Sequence, residues 1–332
     1  MLKTALCLLK LYYCVPRTSE LTSLLEANDK ESVLFQQWLT TDRCNLETIT
    51  KTIDEFVPYF VEKVDKLITH DFIYKEQSSF LRDKKDSLKQ GEVLTICDFS
   101  ENYSFIIQNS AQGYHWNNSQ ATIHPFEVYY RKENKLENLS FIIISEVLTH
   151  DTTAVQLFIS KLLDFIKQSI DFSKITFMSD GAAAHYKNKK KFASLCSFRS
   201  NYGLEAEWHF FATSHGKDPC DAVGGTLKRM AKRASLARDY GNTITTPREL
   251  YDWAVKQSDI HITKLNFCFI SNEQYAKMTH ELEELYTYSH VKTIPGTQKF
   301  HSFVPISENQ IEAKKFSNSK DNPKKFTLFQ ID

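Results

Sequence analysis

"KITFMSDGAAAHYKNKKKFASLCSFRSNYGLEAEWHFFAT" (174–213) decides the fold class. KITFMSD (174–180) is a short apolar strand ending in Asp-Gly, and EAEWHFFAT (205–213) is a second strand rich in aromatic residues. The segment between them, AAAHYKNKKKFASLCSFRSNYG, has helical spacing and a basic start. Strand, helix and strand in that order mark an α/β sheet. Upstream, HDTTAVQLFISKLLDFIKQSI (150–170) aligns Val155, Phe158, Ile159, Leu162, Leu163, Ile166 and Ile170 on one stripe, with Asp151 or Thr152 as cap. Before that come four runs of β-branched and aromatic residues: VLTICDFS (93–100), YSFIIQ (103–108), ATIHPFEVYYR (121–131) and ENLSFIIISEVL (137–148), with RKENK as a turn. Downstream, SHGKDPCDAVGGTLKRMAKR (214–233) opens a third helix, and two more helices flank the strand KLNFCFI (264–270).

The ends of the chain have a different character. From about Glu20 to Lys89 the pattern is helical: Ile53, Phe56, Val57, Phe60, Val61, Val64 and Ile68 recur at helical steps, and a second, more polar helix is expected from Asp71. The C-terminal stretch is polar and charged and is expected to be mobile. The expected organisation is a helical region at 1–90, an α/β core at 91–240, a small α/β extension packed on the core at 241–305, and a flexible tail at 306–332.

With 42% hydrophobic and 25% charged residues, the 332-residue chain can bury a substantial core. Lys plus Arg and Asp plus Glu each total 41, so any affinity for nucleic acid must come from local basic patches. Seven cysteines without a CxxC pair point to thiols in a reducing compartment. The opening MLKTALCLLKLYYCV imitates a signal peptide, but Lys10 interrupts its apolar run and Val15-Pro16-Arg17 is a poor cleavage site. No stretch is long enough to span a bilayer, and the expected setting is nuclear or nucleocytoplasmic, neither secreted nor membrane-bound.

Acids fall where strands of an α/β sheet end, which is where ligands gather in such folds. Asp98 is late in the first strand, Asp180 ends the strand before the basic segment, and Asp221 is in the first turn of the third helix. Each has a plainer reading as a turn residue or as a complement to a helix dipole. Converging carboxylates repel one another unless divalent cations lie between them, and an all-oxygen site suits two Mg²⁺ or Mn²⁺ ions. Such a pair acts on phosphodiesters.

Basic residues surround these positions. Asp218-Pro219 makes a helix start, and Gly225, Lys228 and Lys232 fall close to Asp221 on a helical wheel. Gly224 and Gly225 weaken a helix and are best compensated by close approach of another backbone. Lys187, Lys189, Lys190 and Lys191 could hold phosphates with Tyr186 stacked on a base. His185, His215 and Lys217 could touch phosphate, although solvated lysines and a structural histidine are the plainer readings.

The segments CDFSENYSF, GYHWNNSQATIHPFEVYY, SDGAAAHYKNKKKF, EWHFFATSHGKDPCDAVGGTLKR and TIPGTQKFHSF together resemble DDE/D-type cut-and-paste transposases, or animal proteins derived from them. The resemblance runs from about Phe35 to Pro305. It implies a ribonuclease H-like core: a mixed five-stranded sheet flanked by helices, with three antiparallel strands first. It also implies a catalytic trio, carried over to Asp98, Asp180 and Asp221, with 81 residues between the first pair and 40 between the second. The third acid is Asp where many relatives of that fold carry Glu. DNA is the implied partner and a homodimer the implied assembly. Metal-dependent strand cleavage and transfer is the leading expectation; a catalytically silent binder of nucleic acid or protein, and a plain nuclease, are the alternatives.

Overall fold

The computed structural model describes residues 32–40, 42–106, 119–212, 219–237, 243–258, 265–285 and 290–329. The chain divides into two compact units, Met1–Phe72 and Ile73–Asp332.

In the first unit the helix expected from Ile53 to Ile68 is present, but residues 32–52 ahead of it form a hairpin where a helical pattern was expected. β1 (Ser32–Thr40) pairs antiparallel with β2 (Cys44–Thr52), Thr40 opposite Cys44. Val33, Phe35, Gln37 and Leu39 alternate with more exposed neighbours, the period of two that a strand imposes. Phe35 packs on Phe56 at 5.1 Å and on Tyr59 at 5.9 Å between ring centroids, and the Tyr59 hydroxyl donates to Gln37. α1 (Ile53–Asp86) is one continuous helix, with Pro58 inside it, where a helix ending before Asp71 and a second one were expected.

Among the described residues the second unit is built on a mixed sheet of ten strands, where a five-stranded core was expected. β3 (Glu92–Cys97) lies at its centre. On one side β3 is antiparallel to β5 (Gln120–Lys132), which pairs antiparallel with β6 (Lys135–Ser145) and also with β4 (Ser100–Ser104). Glu133 and Asn134 take positive φ in the β5–β6 turn, as a tight hairpin requires. On the other side β3 runs parallel to β7 (Lys174–Ser179), and β7 parallel to β8 (Glu205–Phe210). β9 (Leu265–Ile270) joins β6 in parallel, so the C-terminal extension belongs to the same sheet.

The segment expected to be a flexible tail instead extends the sheet. β10 (Ser302–Ser307) pairs with β8, β11 (Gln310–Lys314) with β10, and β12 (Lys324–Thr327) with β11, all antiparallel. Ile311 and Ala313 are buried there, so a polar composition hides two core residues.

Helices cover both faces. α2 (Thr152–Ile166) buries Val155, Phe158, Ile159, Leu162, Leu163 and Ile166, each worth about 1.5–3 kcal/mol when removed from water. Asp151 caps α2 by accepting from Ala154 N at 2.8 Å. With α2 pack α3 (Lys189–Cys196) and α4 (Phe198–Tyr202). α5 (Pro219–Leu236) and α6 (Pro247–Ser258) share a second cluster with Ile142 and Ile144, on the other side of β6. α7 (Asn272–Leu285) follows β9. Among the described residues, no helix is long and apolar enough to cross a membrane.

Candidate functional site

β3, β7 and β8 are parallel, so their carboxyl ends lie along one side of the sheet. The last paired residues of β3 and β7 are Ile96 and Met178. Asp98 and Asp180 immediately follow β3 and β7, each two residues beyond that last pair. The Ile96 and Met178 side chains are both fully buried. Those two side chains form a small buried cluster with Cys220, whose Sγ lies 3.4 Å from the Ile96 carbonyl oxygen. Cys220 immediately precedes Asp221. This cluster links the three segments that carry the acids: Asp98 and Asp180 lie two residues after Ile96 and Met178, and Asp221 one after Cys220.

Electrostatics agree with that placement. The buried Tyr186 hydroxyl is held well above the usual phenol range, first by burial and then by the nearby Cys97, Asp98, Asp180 and Cys220 groups. Burial lowers the Lys228 ammonium below its ordinary value, and the neighbouring Glu101 and Asp221 oppose that shift. Asp180 Oδ1 accepts from Ala182 N at 3.3 Å and lies 3.9 Å from His185 Nε2. Among the described residues, no three His, Cys, Asp or Glu side chains are gathered into a group able to hold a metal ion.

A histidine cage that the sequence did not signal lies beside Asp98. The Phe99 ring stacks on His150 at 4.1 Å and contacts His124 at 4.6 Å and His185 at 4.9 Å. His150 Nε2 is 2.9 Å from Asn102 Oδ1, and His124 Nε2 is 2.7 Å from the Tyr186 hydroxyl. Burial pushes all three imidazoles below the usual histidine range, and for His185 it outweighs the pull of Asp180.

The expected basic helix after Asp180 is a turn up to Lys187, and α3 begins only at Lys189, capped by Asn188 accepting from Lys191 N at 3.1 Å. Lys187 is 3% exposed: its Nζ lies 5.0 Å from the Phe210 ring centre and 3.4 Å from the Gln298 carbonyl. Burial brings its ammonium down to about 8. Lys191 is also buried, over Trp208 at 4.4 Å, and is brought down to about 7. Neither amine can serve as the phosphate contact expected of it, and Tyr186, fully buried, cannot stack on a base. Lys190 and Lys232 are exposed, with Lys189 and Lys228 intermediate. His215, Lys217 and Asp218 lie outside the described residues. Lys187→Met is accordingly expected to leave DNA affinity and its salt dependence unchanged. The double change Lys190→Ala and Lys232→Ala should reduce the slope of log K against log salt by about 2; fluorescence anisotropy with a labelled duplex checks both.

The two glycines of α5 behave differently. A Cβ on Gly224 would stand 2.7 Å from Ser100 Oγ, 3.2 Å from Ser100 Cβ and 3.4 Å from Pro125 Cγ, so the close approach is of β4 and β5 to the helix. A Cβ on Gly225 would meet only the Arg229 guanidinium at 3.4 Å, so no other protein element approaches closely there among the described residues. Gly224→Ala should cost about 1–3 kcal/mol by overpacking, with Ser100→Gly restoring part of it, whereas Gly225→Ala should stabilise by about 0.5–1 kcal/mol. Chemical denaturation of the three variants decides this, and equal effects at the two positions would contradict the packing.

A family model described as a domain of unknown function (DUF8701) matches residues 77–317, and a second domain of unknown function (DUF8700) matches residues 10–68. No curated protein matches. Among solved structures, the crystal structure of NurA bound to dAMP and manganese aligns at 11% identity over 78% of this chain with a TM-score of 0.15. NurA with manganese and NurA alone align at 10% identity over 76% and 77%, with a TM-score of 0.14 for each. This chain spans about half the length of those chains, covering 50% of each. At that level of superposition nothing about this chain follows from them.

Proposed function

The chain belongs to the DUF8701 family, which covers residues 77–317, and from the geometry of its acidic strand ends we propose that it is a metal-dependent phosphodiester-processing core, transposase-like in chemistry. What supports this reading is that Asp98 and Asp180 directly follow the neighbouring parallel strands β3 and β7 and both act on the Tyr186 hydroxyl, while Cys220, next to Asp221, packs with Ile96 and Met178. The sheet supports it too: β3, β5 and β6 are successively antiparallel and β7 and β8 then join β3 in parallel. That is the order expected of a ribonuclease H-like core, here enlarged by β4 and by β9 to β12.

The donor set fits Mg²⁺ or Mn²⁺ in kind, being three carboxylates. Asp98, Asp180 and Asp221 would hold the two ions between them. Bound there, the ions would supply polarisation of the phosphodiester and of an attacking water or 3′-hydroxyl. Lys228 and Lys232, following Asp221 along α5, would take phosphates of the DNA backbone, with Lys190 on the other side. His185, beside Asp180, would orient that carboxylate.

The test is nicking of supercoiled plasmid with Mg²⁺ or Mn²⁺ against a chelator control. Ion-dependent nicking that Asp98→Asn removes supports the reading, and end joining in the same reaction separates strand transfer from plain nuclease action. A second reading, a DNA binder that does not cut, is favoured by one observation: among the described residues the three carboxylates are not drawn into a single metal-holding group. Salt-sensitive binding with no nicking would select it.

A further inference from the structure

The two outer edges of the ten-stranded sheet are unlike. β12, KKFT, carries Lys324 and Lys325, the charged residues by which edge strands discourage further pairing. β9, LNFCFI, carries no charge and no proline, and its pairing with β6 has no register shift. The Ile270 carbonyl turns inward, accepting from Glu146 N at 3.1 Å. Backbone groups alternate in direction along a strand, so Leu265, Phe267 and Phe269 turn theirs to the open side. Among the described residues no strand pairs with that side, and the Phe269 carbonyl receives only Cys268 Sγ at 3.8 Å.

A cleft of about 420 Å³ lies along this edge, between the starts of α6 and α7, lined in part by Arg248, Tyr251, Phe267, Phe269 and Gln274. The Arg248 guanidinium stands 5.4 Å from the Tyr251 ring centre and 5.1 Å from that of Phe269. Its Nε donates to Asp252 at 3.1 Å, and neither Nη nitrogen has a protein partner among the described residues.

We propose that the open edge of β9 takes an extended segment of another protein as an added strand, with apolar side chains on Tyr251 and Phe269 and a carboxylate on Arg248. Outward N–H and C=O groups at strand spacing select a polypeptide over a nucleic acid, because only a peptide backbone answers them in register. Arg248 sets the charge preference, since a guanidinium fork matches a carboxylate. A second copy pairing through its own β9 offers no such group, because LNFCFI contains no acid.

The probe is a random dodecapeptide library panned on the whole chain, with enriched peptides then measured by fluorescence anisotropy. Enriched sequences should alternate apolar residues and carry Asp or Glu. Arg248→Glu should weaken them about tenfold or more and turn a second panning toward Lys and Arg. Phe267→Pro removes an outward N–H and none of the bonds to β6, a position where an edge strand tolerates proline, and should abolish binding. The proposal is overturned by a failure to enrich any peptide, or by affinities that Arg248→Glu leaves unchanged. Displacement of the peptides by a single-stranded oligonucleotide, or a dimer of the chain broken by Phe267→Pro, would equally overturn it.

Discussion

Asparagine in place of Asp180 should lower ion-dependent plasmid nicking by about 10³-fold or more, while moving the thermal unfolding midpoint by no more than about 2 °C. The two halves of that result have separate causes. Asp180 follows β7 with its side chain 46% exposed, and the bond its carboxylate accepts from Ala182 N needs only an oxygen acceptor, which asparagine retains. What asparagine loses is the negative charge that would grip a divalent ion beside Asp98. Nicking at the parental rate by the folded Asp180→Asn variant would remove Asp180 from the chemistry.

A large loss of stability is expected from Glu207→Gln. Glu207 on β8 stands among two cations and a hydroxyl: Lys84 Nζ at 2.9 Å, Lys174 Nζ at 3.0 Å and Thr176 Oγ1 at 2.7 Å, with His209 Nε2 at 3.7 Å. Lys84 lies on α1, so this charge ties the helix to the sheet. Burial opposes ionisation of Glu207, but His209 and Lys84 outweigh it and hold the carboxyl well below the usual carboxylate range. Removing the charge leaves a Lys84 side chain only 16% exposed without its counter-charge, a change that typically costs about 3–5 kcal/mol.

The pH dependence has a definite sign. A carboxyl depressed in the folded state adds stability above its unfolded value of 4.5, and that stability drains away as pH falls below 4.5. The parent and Glu207→Gln should therefore differ most near neutrality and converge in acid. Denaturant titrations at neutral pH and well below 4.5 would show it, and a gap independent of pH would contradict the assignment of the effect to this charge.

Legibility in the sequence followed the agreement between local pattern and tertiary role. β5 and β6 were readable because ATIHPFEVYY and FIIIS combine β-branched and aromatic residues with a two-residue turn at Glu133-Asn134. α2 was readable from a stripe that is buried throughout. The acids stood out because the apolar runs LTIC and TFMS end beside them. The hairpin at 32–52 was missed because its strand alternation was absorbed into the strongly helical pattern that begins at Ile53. Lys187 and Lys191 were misplaced because charge alone assigns lysines to water. Here their stems run beneath the surface and the amines rest on Phe210 and Trp208, rings supplied by a distant strand. β12 was missed because KKFT acquires strand conformation only by pairing with β11, and its lysines look like those of a solvated tail.

Calorimetric titration of Mn²⁺ into the parent chain and into Asp98→Asn, Asp180→Asn and Asp221→Asn tests the shared acidic site most directly. The account predicts saturable binding by the parent, weakened at least tenfold by each single change, because the proposed ions would bridge Asp98 after β3, Asp180 after β7 and Asp221 on α5. Isotherms that remain the same in all three folded variants would contradict it.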